Sequence, residues 1–175
     1  MFDFEFKEIQ FVNKLETQSG IYLWILHADK IPPHIGISID GHYFSLKAKG
    51  KDENISDKSI LQVIEKKKIK SVILKLNINS NLEFFISEFS CFQRAYGVDS
   101  SCLVPVRKIL KAPETILKLS DLLRFLEAEQ QIEAVFGLYL NNEYKGIRFY
   151  TTNDIQQRIE ALNYVERKND LPKSS

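Results

Sequence analysis

Alternating apolar and polar residues predict a β-sheet in the first half of the chain. The run Ile21–Leu26 is continuously apolar and rich in strand-forming residues, which predicts a buried central strand. His34–Ile39 alternates cleanly, and the following Asp40-Gly41 is a strong signal for a two-residue hairpin turn. His42–Lys47 is then the return strand. Pairing across the turn, continued to His34 opposite Lys47, predicts one face that carries His34, Gly36, Ser38, Tyr43 and Ser45.

Further elements follow from apolar spacing and from capping residues. Helices are predicted over residues 58–67, 82–96, 102–111, 122–130 and 153–167, and strands over residues 71–76, 134–140 and 144–150. Residues 2–7 are predicted to form a short strand or an ordered arm. The polar, glycine-containing residues 48–57 are predicted to form a loop. Antiparallel hairpins with helices grouped between them are typical of an α+β domain with a mainly antiparallel sheet. We therefore predict a single α+β domain over residues 1–168 and a disordered tail over residues 169–175.

Composition and charge narrow the class of protein. A length of 175 residues fits one domain, and a formal net charge of +1 gives no general attraction to nucleic acid. The two cysteines, Cys91 and Cys102, form no disulfide framework and suit a reducing compartment. The N-terminus lacks a signal-peptide pattern, and no apolar run is long enough to span a bilayer. These features predict a cytoplasmic protein without a membrane span or a nucleic-acid partner, and they leave its oligomeric state open.

Pro105 determines where the helix that contains Cys102 begins. Proline is tolerated in the first turn of a helix, where backbone N–H groups have no partner within the helix, but not in the interior. The helix therefore begins near Cys102, with Ser100 or Ser101 as its N-cap. The helix dipole then favours an anion there, which predicts a lowered thiol pKa and a nucleophilic thiolate. The alternative is an inert core cysteine, as most unpaired cysteines are.

The other candidate residues differ in how much their positions indicate. His34 begins a strand whose neighbouring residues on the same face are small, so there is room beside the imidazole. Its alternative role is to satisfy a buried hydrogen bond. Cys91 lies inside a predicted helix and off its apolar stripe, so we interpret it as structural, and we place His27 and His42 at the surface or in turns. The sequence has no metal-ligand spacing and no glycine-rich phosphate loop, so we predict neither a metal nor a cofactor.

Two short motifs together carry a family resemblance. One is His34-Ile35-Gly36-Ile37, which opens a strand before a tight turn and a return strand. The other is Cys102-Leu103-Val104-Pro105, which opens a later helix. The strand with the histidine therefore precedes the helix with the cysteine in the chain. This order resembles that of the circularly permuted papain-like thiol hydrolases, the NlpC-type branch that includes lecithin:retinol acyltransferase-like proteins. The resemblance covers about residues 20–111 and implies a permuted papain-like fold.

The resemblance implies a cysteine-dependent hydrolase or acyltransferase that acts on an amide (peptide) or ester bond. Cys102 would be the nucleophile and His34 the base that shares its proton. The helix N-terminus and nearby backbone N–H groups would stabilise the developing oxyanion. The family usually places a polar orienting residue on the strand after the histidine, and here Ser45 is the candidate for that position. The implied substrate is a peptide or a small acyl compound, with no cofactor.

Two other functions are compatible with the same sequence. One is a non-catalytic binding module that keeps the fold but not the chemistry. The other is an unrelated α+β interaction protein of the inhibitor or immunity type, in which both cysteines are core residues. If Cys102 and His34 come together in the folded protein, the hydrolase and the binding module are both favoured over the unrelated interaction protein, because an unrelated fold has no reason to bring these residues together.

Overall fold

The computed structural model of the protein describes residues 1–170. Its strands are β1 (Phe2–Glu5), β2 (Gln10–Val12), β3 (Ile21–Leu26), β4 (His34–Ile39), β5 (His42–Lys47), β6 (Gly50–Ser56), β7 (Ser71–Leu76), β8 (Ile132–Leu138) and β9 (Gly146–Arg148). Its helices are α1 (Asp57–Lys67), α2 (Leu82–Ser90), α3 (Leu103–Ile109), α4 (Leu119–Ala128) and α5 (Thr152–Asp170). A short 3₁₀ turn, Val98–Ser100, precedes α3. The predicted α+β class is confirmed.

The strands form one large and one small sheet. The large sheet has seven strands in the order β2-β8-β7-β3-β4-β5-β6. Its neighbouring strands are antiparallel except for β2 and β8, which are parallel. β3 is central and pairs along its whole length with both β4 and β7, as its continuous apolar run predicts. The small sheet pairs β1 with β9.

Apolar side chains cover both faces of the large sheet. On one face Leu23 and Ile25 of β3 belong to the larger core, which residues from α2, α3, α4 and α5 complete. The alternate residues of the same strand, Tyr22 and Trp24, belong to a smaller core on the other face together with Ile64 of α1. This alternation follows from the two-residue period of a strand and explains why β3 is apolar throughout.

Residues 50–56 form a strand, so the loop predicted there is wrong. β6 pairs antiparallel with β5 at the edge of the sheet. Charged side chains are common on edge strands because one side of the strand faces solvent and must not pair further. Ile55 is its only apolar residue, so the strand has no alternating apolar signal.

Two other elements differ from their predictions: one helix ends earlier, and one strand has a different partner. α2 ends at Ser90, so Cys91 is an exposed C-cap residue and not part of a helix interior. The chain turns away there, and the N–H of Ala95 donates to the carbonyl of Lys47 at the end of β5. β9 is shorter than the predicted strand and pairs with β1, whereas the predicted return strand would pair with β8. These differences depend on partners that are distant in the sequence.

The C-terminal helix is longer than predicted. α5 extends to Asp170, two residues into the segment predicted as a disordered tail. The remainder of that segment, residues 171–175, lies outside the described residues. Within residues 1–170, no helix combines the length and the apolar composition needed to cross a membrane.

Candidate active site

The hairpin of β4 and β5 is tightly paired beside its turn. Ile39 pairs with His42 across the turn. The two turn residues, Asp40 and Gly41, have positive φ angles of 47° and 84°. Such angles are those of a two-residue hairpin turn, whose twist matches that of the strands. The predicted turn is therefore confirmed.

The ladder between β4 and β5 stops before the strands end. Its pairs are Ile39 with His42, Ser38 with Tyr43 and Ile37 with Phe44. On its other side, β4 pairs with β3 along its full length, to His34. The predicted continuation of the β4–β5 pairing to His34 and Lys47 is wrong. The carbonyl of Lys47 instead accepts a hydrogen bond of 2.8 Å from the N–H of Ala95.

The early end of the ladder leaves the N–H of Ile35 without a partner on β5. The residues that close a two-residue hairpin exchange both of their hydrogen bonds, so Ile39 directs its N–H toward β5. By alternation along the strand, Ile37 and Ile35 direct theirs to the same side. At Ile35 the pairing with β5 has ended. Its N–H therefore faces the open end of the hairpin.

Cys102 lies at this open end, immediately before the first residue of α3. Pro105 is in the first turn of α3, as predicted. The N-cap residue is Cys102 itself, so the N-cap predicted at Ser100 or Ser101 is wrong, although Oγ of Ser101 accepts a hydrogen bond of 3.3 Å from the N–H of Leu103. The side chain of Cys102 packs against the larger core and lines a cavity. The start of α3 thus carries the thiol to the end of the sheet.

The thiol is surrounded by both apolar groups and backbone donors. Burial raises the pKa of the Cys102 thiol, and the backbone N–H groups of Ile35, Cys102 and Leu103 lower it by smaller amounts. The lowered pKa predicted from the helix start is therefore wrong, because the loss of water disfavours the thiolate more than the donors favour it. The thiol is protonated at neutral pH. All three N–H groups act on the sulfur itself, so they favour negative charge on the sulfur.

His34 lines the same cavity as Cys102. Burial lowers the pKa of its imidazole to about 4, with an opposing effect of Asp52 and a further lowering by Lys47. The imidazole is therefore neutral at neutral pH, which is the form that can accept a proton. A neutral thiol and a neutral imidazole thus share one cavity.

Cys102 and His34 reach the cavity from opposite faces of β4. Cys102 packs in the larger core together with Ile35. Side chains alternate along a strand, so His34 belongs to the other face, where Tyr43 packs in the smaller core. His34 is the first residue of β4, and the cavity includes this end of the strand. The structure therefore brings both predicted residues to one cavity at the open end of the hairpin.

Ser45 contacts a carboxylate that the sequence pattern does not indicate. Ser45 is fully buried, and its Oγ donates to Oδ2 of Asp52 on β6 at 3.0 Å. Nζ of Lys47 lies 2.8 Å from the other carboxylate oxygen. Among the described residues no hydrogen bond joins Ser45 to His34, whereas the charge of Asp52 does act on the imidazole.

Asp52 could have been found only by predicting the second hairpin. Lys47 pairs with Gly50 and Ser45 with Asp52, so the register follows from the short connection between β5 and β6. The polar composition of residues 50–56 hides that strand. The first hairpin is signalled by Asp40-Gly41, but the connection Ala48-Lys49 contains neither glycine nor asparagine.

The cavity has a volume of about 840 Å³, within the range of sites that bind small organic molecules. Buried apolar side chains from strands and helices line its interior: Ile35, Leu46, Leu103, Leu119, Ile155 and Ile159. Lys49 and Leu117, from two segments outside the predicted elements, also line it. The N–H of Leu119 donates to the hydroxyl of Tyr150 at 2.9 Å, which joins two of its walls.

Neither metal chemistry nor a known relative assists in interpreting this cavity. Within the described part of the chain, no three His, Cys, Asp or Glu side chains are grouped so that they could hold a metal ion. Comparisons with protein-family models, with curated proteins and with solved structures find no match for the chain. The function is therefore inferred from the geometry of the site, and the resemblance to permuted papain-like hydrolases stays a prediction.

Proposed function

We propose that the protein is a cysteine-dependent hydrolase or acyltransferase of the permuted papain-like type, which cleaves an amide or ester bond with Cys102 and His34. One observation carries the proposal. A thiol and a neutral imidazole line one cavity at the open end of a hairpin, and the N–H of Ile35, which has no partner on β5, acts on the thiol. Such a site needs a nucleophile, a base and donors for an oxyanion.

The first half of the proposed reaction forms a thioester. Sγ of Cys102 attacks the carbonyl carbon of the substrate as the imidazole of His34 takes the thiol proton. The carbonyl oxygen becomes an oxyanion, which the N–H groups of Ile35 and Cys102 stabilise. The intermediate collapses to an acyl thioester on Cys102, and His34 gives its proton to the departing amine or alcohol.

The second half releases the acyl group. A water molecule, or the hydroxyl or amine of an acceptor, gives its proton to His34 as it attacks the thioester carbonyl. Collapse returns the proton to Sγ and frees the acid or the transferred acyl product. Because thiol and imidazole are both neutral before the reaction, proton transfer accompanies the attack and does not precede it.

Ser45 and Asp52 serve this reaction as positioning residues. The imidazole becomes cationic when it takes the proton, and the Asp52 carboxylate favours that cation. The hydrogen bond from Ser45 and the ion pair with Lys47 hold the carboxylate in place. The pair with Asp52 also offsets the repulsion between Lys47 and an imidazolium.

Acylation by p-nitrophenyl octanoate tests the proposal. We expect release of p-nitrophenol and a single octanoyl group on Cys102, detected by intact-mass spectrometry and peptide mapping. Cys102→Ala should lose both signals. Cys91→Ala is the matched control, since Cys91 is exposed and does not line the cavity, and it should keep both. An octanoyl adduct that persists in Cys102→Ala would contradict the proposal, as would the absence of both an adduct and Cys102-dependent product release with this ester and with thioester and peptide substrates.

A non-catalytic binding module is the second candidate function. It is favoured by the raised pKa of Cys102 and by the approach of the two side chains from opposite faces of β4. A module of this kind would bind a ligand in the cavity but would form no acyl-enzyme with any ester, thioester or peptide. The acylation experiment therefore separates the two candidates.

A further inference from the structure

The rim of the cavity is strongly cationic. Four exposed basic side chains line it: Lys30, Lys49, Arg148 and Arg158. The cavity lining contains a single carboxylate, that of Asp29, which forms a salt bridge of 3.2 Å with Lys70. The net charge of the cavity lining is therefore positive, although the whole chain is almost neutral.

Within the described part of the chain, these four cations have no carboxylate partners. Among the described side chains, none of the four forms a salt bridge. Arg148 donates to the backbone carbonyl of Asp29 at 3.3 Å, which uses a donor but leaves its charge uncompensated. Lys47 also lines the cavity and is different, because it pairs with Asp52.

His27 at the cavity responds to this positive charge, whereas the charges that act on His34 are those of Asp52, Lys47 and His27. Burial lowers the pKa of His27, and the nearby cations Lys30 and Arg158 lower it further against the opposing charge of Asp29. The pKa of His34 is lowered mainly by burial and also by Lys47 and His27. A ligand that brings negative charge to the rim would relieve this repulsion.

The interior of the cavity has the opposite character. Ile155, Ile159 and Leu162 of α5 form one apolar wall, at the spacing of successive helical turns. Arg158 belongs to the same helix and is exposed at the rim. α5 thus offers both an apolar stripe and a cation to one ligand.

We propose that this cavity binds an anionic amphiphile, an acyl compound whose apolar chain lies in the interior and whose carboxylate or phosphate group lies among Lys30, Lys49, Arg148 and Arg158. The inference rests on the proposed function for the chemistry at Cys102, but its binding step does not. An apolar ligand without a charged group would leave the four cations without a partner. A free anion would leave the apolar interior unfilled.

Calorimetric titration of Cys102→Ala protein tests the binding step. The probes are dodecyl phosphate, dodecanoate, dodecyltrimethylammonium and inorganic phosphate, each below its micelle concentration. We expect the two anionic amphiphiles to bind roughly tenfold or more tightly than the cationic one and than inorganic phosphate, with affinity that falls as salt is added. The stronger of the two anions identifies the head group. Equal binding of anionic and cationic chains, or inorganic phosphate bound as tightly as dodecyl phosphate, would overturn the inference.

Charge reversal at the rim provides the second measurement. Lys49→Glu/Arg158→Glu in the Cys102→Ala protein should weaken binding of both anionic amphiphiles by roughly tenfold or more and strengthen binding of the cation. Lys58→Glu/Lys66→Glu is the matched control, since it changes the net charge equally on α1 outside the cavity, and it should leave all affinities unchanged. The neutral pair Lys49→Gln/Arg158→Gln should give an intermediate loss, and it replaces the reversed pair if thermal melts show misfolding. A loss equal to that of the control contradicts the inference.

Substrate pairs distinguish failure of this inference from failure of the proposed function. The protein with Cys102 intact is given phenyl octanoate or its para-sulfonate, which carries a negative charge on the leaving group. Preferential acylation by the sulfonate supports both proposals. Acylation by the two esters at equal rates contradicts the anionic specificity alone, and charge-dependent binding without any acylation contradicts the enzyme alone.

Discussion

The two ends of the β4–β5 hairpin are built on different principles. At the turn end the backbone is fully engaged: the N–H of Asp40 donates to the carbonyl of Gly20, and the carbonyl of Gly41 accepts from Asp57. At the open end the ladder has stopped, and the N–H of Ile35 meets a thiol from the other half of the chain. The turn end resembles any stable hairpin, whereas at the open end the two strands are no longer paired and a cavity lies beside them.

The difference suggests a source of backbone donors for the proposed reaction. Buried backbone N–H groups are almost always paired, because an unpaired one costs about 1–3 kcal/mol. A strand that loses its neighbour therefore holds a donor in a rigid position, ready for an oxygen that becomes negative. We infer that the turn end stabilises the fold and that the open end carries the chemistry. Matched changes at the two ends test this division.

The largest effect is expected from the two histidines of the hairpin. His34→Gln should lower kcat/KM for p-nitrophenyl octanoate by about 100-fold or more, because it removes the proposed base. His42→Gln is the matched change at the turn end, where Nδ1 of His42 lies 2.6 Å from Oδ1 of Asn54 at the exposed surface. It should leave kcat/KM within about twofold, as is usual for changes outside a site. Equal losses in the two variants would contradict the division.

The acid stability of the protein should depend on His34. Its folded-state pKa of about 4 lies below the ordinary value of 6.5, so the unfolded chain binds more protons between these values. Stability is then complete above pH 6.5 and falls by about 1–3 kcal/mol toward pH 4. Urea unfolding at pH 7 and pH 4 should show this loss of stability. His34→Gln should remove the part of the loss that comes from the imidazole. An unchanged pH dependence in His34→Gln, with the same dependence in His42→Gln, would show that the imidazole is not buried.

A smaller effect is expected from the carboxylates near the two ends. Asp52→Asn should lower kcat/KM by about tenfold, equivalent to one pKa unit of imidazolium stabilisation, and should move the acidic limb of the pH profile to lower pH. Asp40→Asn at the turn keeps the side-chain acceptor for the N–H of Gly20 and should change neither quantity. If Asp52→Asn lowers the rate without moving the limb, Asp52 has only a structural role.

The smallest change is expected at the turn itself. Gly41 has a φ of 84°, and Gly41→Ala should destabilise the fold by about 1 kcal/mol because other residues adopt that angle at a cost. Chemical denaturation gives the stability, and ester hydrolysis at saturating substrate gives kcat. We expect kcat to be unchanged. A large loss of kcat in well-folded Gly41→Ala protein would mean that the two ends of the hairpin are coupled.

The turn end could be predicted from sequence because its determinants are local. The dipeptide Asp40-Gly41 specifies the turn, and the apolar run Ile21–Leu26 specifies the buried neighbour of the hairpin. The start of α3 is equally local, since Pro105 limits where that helix begins. For the same reason the amino-acid sequence alone was enough to select Cys102 and His34 as candidates.

The open end could not be predicted because distant segments determine it. The ladder stops after Ile37 and Phe44, and beyond it the carbonyl of Lys47 takes a partner at Ala95, almost fifty residues further along the chain. The pKa of Cys102 depends on how deeply the folded chain buries the thiol. The effect of burial exceeds the local effect of the helix start. Asp52 lies on a strand whose only apolar residue is Ile55, so no periodic pattern reveals it.

The charged strand β6 affects how copies of the protein meet in concentrated solution. It forms one edge of the large sheet and carries Lys51, Asp52 and Glu53 in succession. The other edge is β2, which is only three residues long. Aggregation through edges requires a long, uncharged strand that can template a ladder with another molecule. Neither edge offers one, so both edges of the large sheet are protected against pairing with another copy.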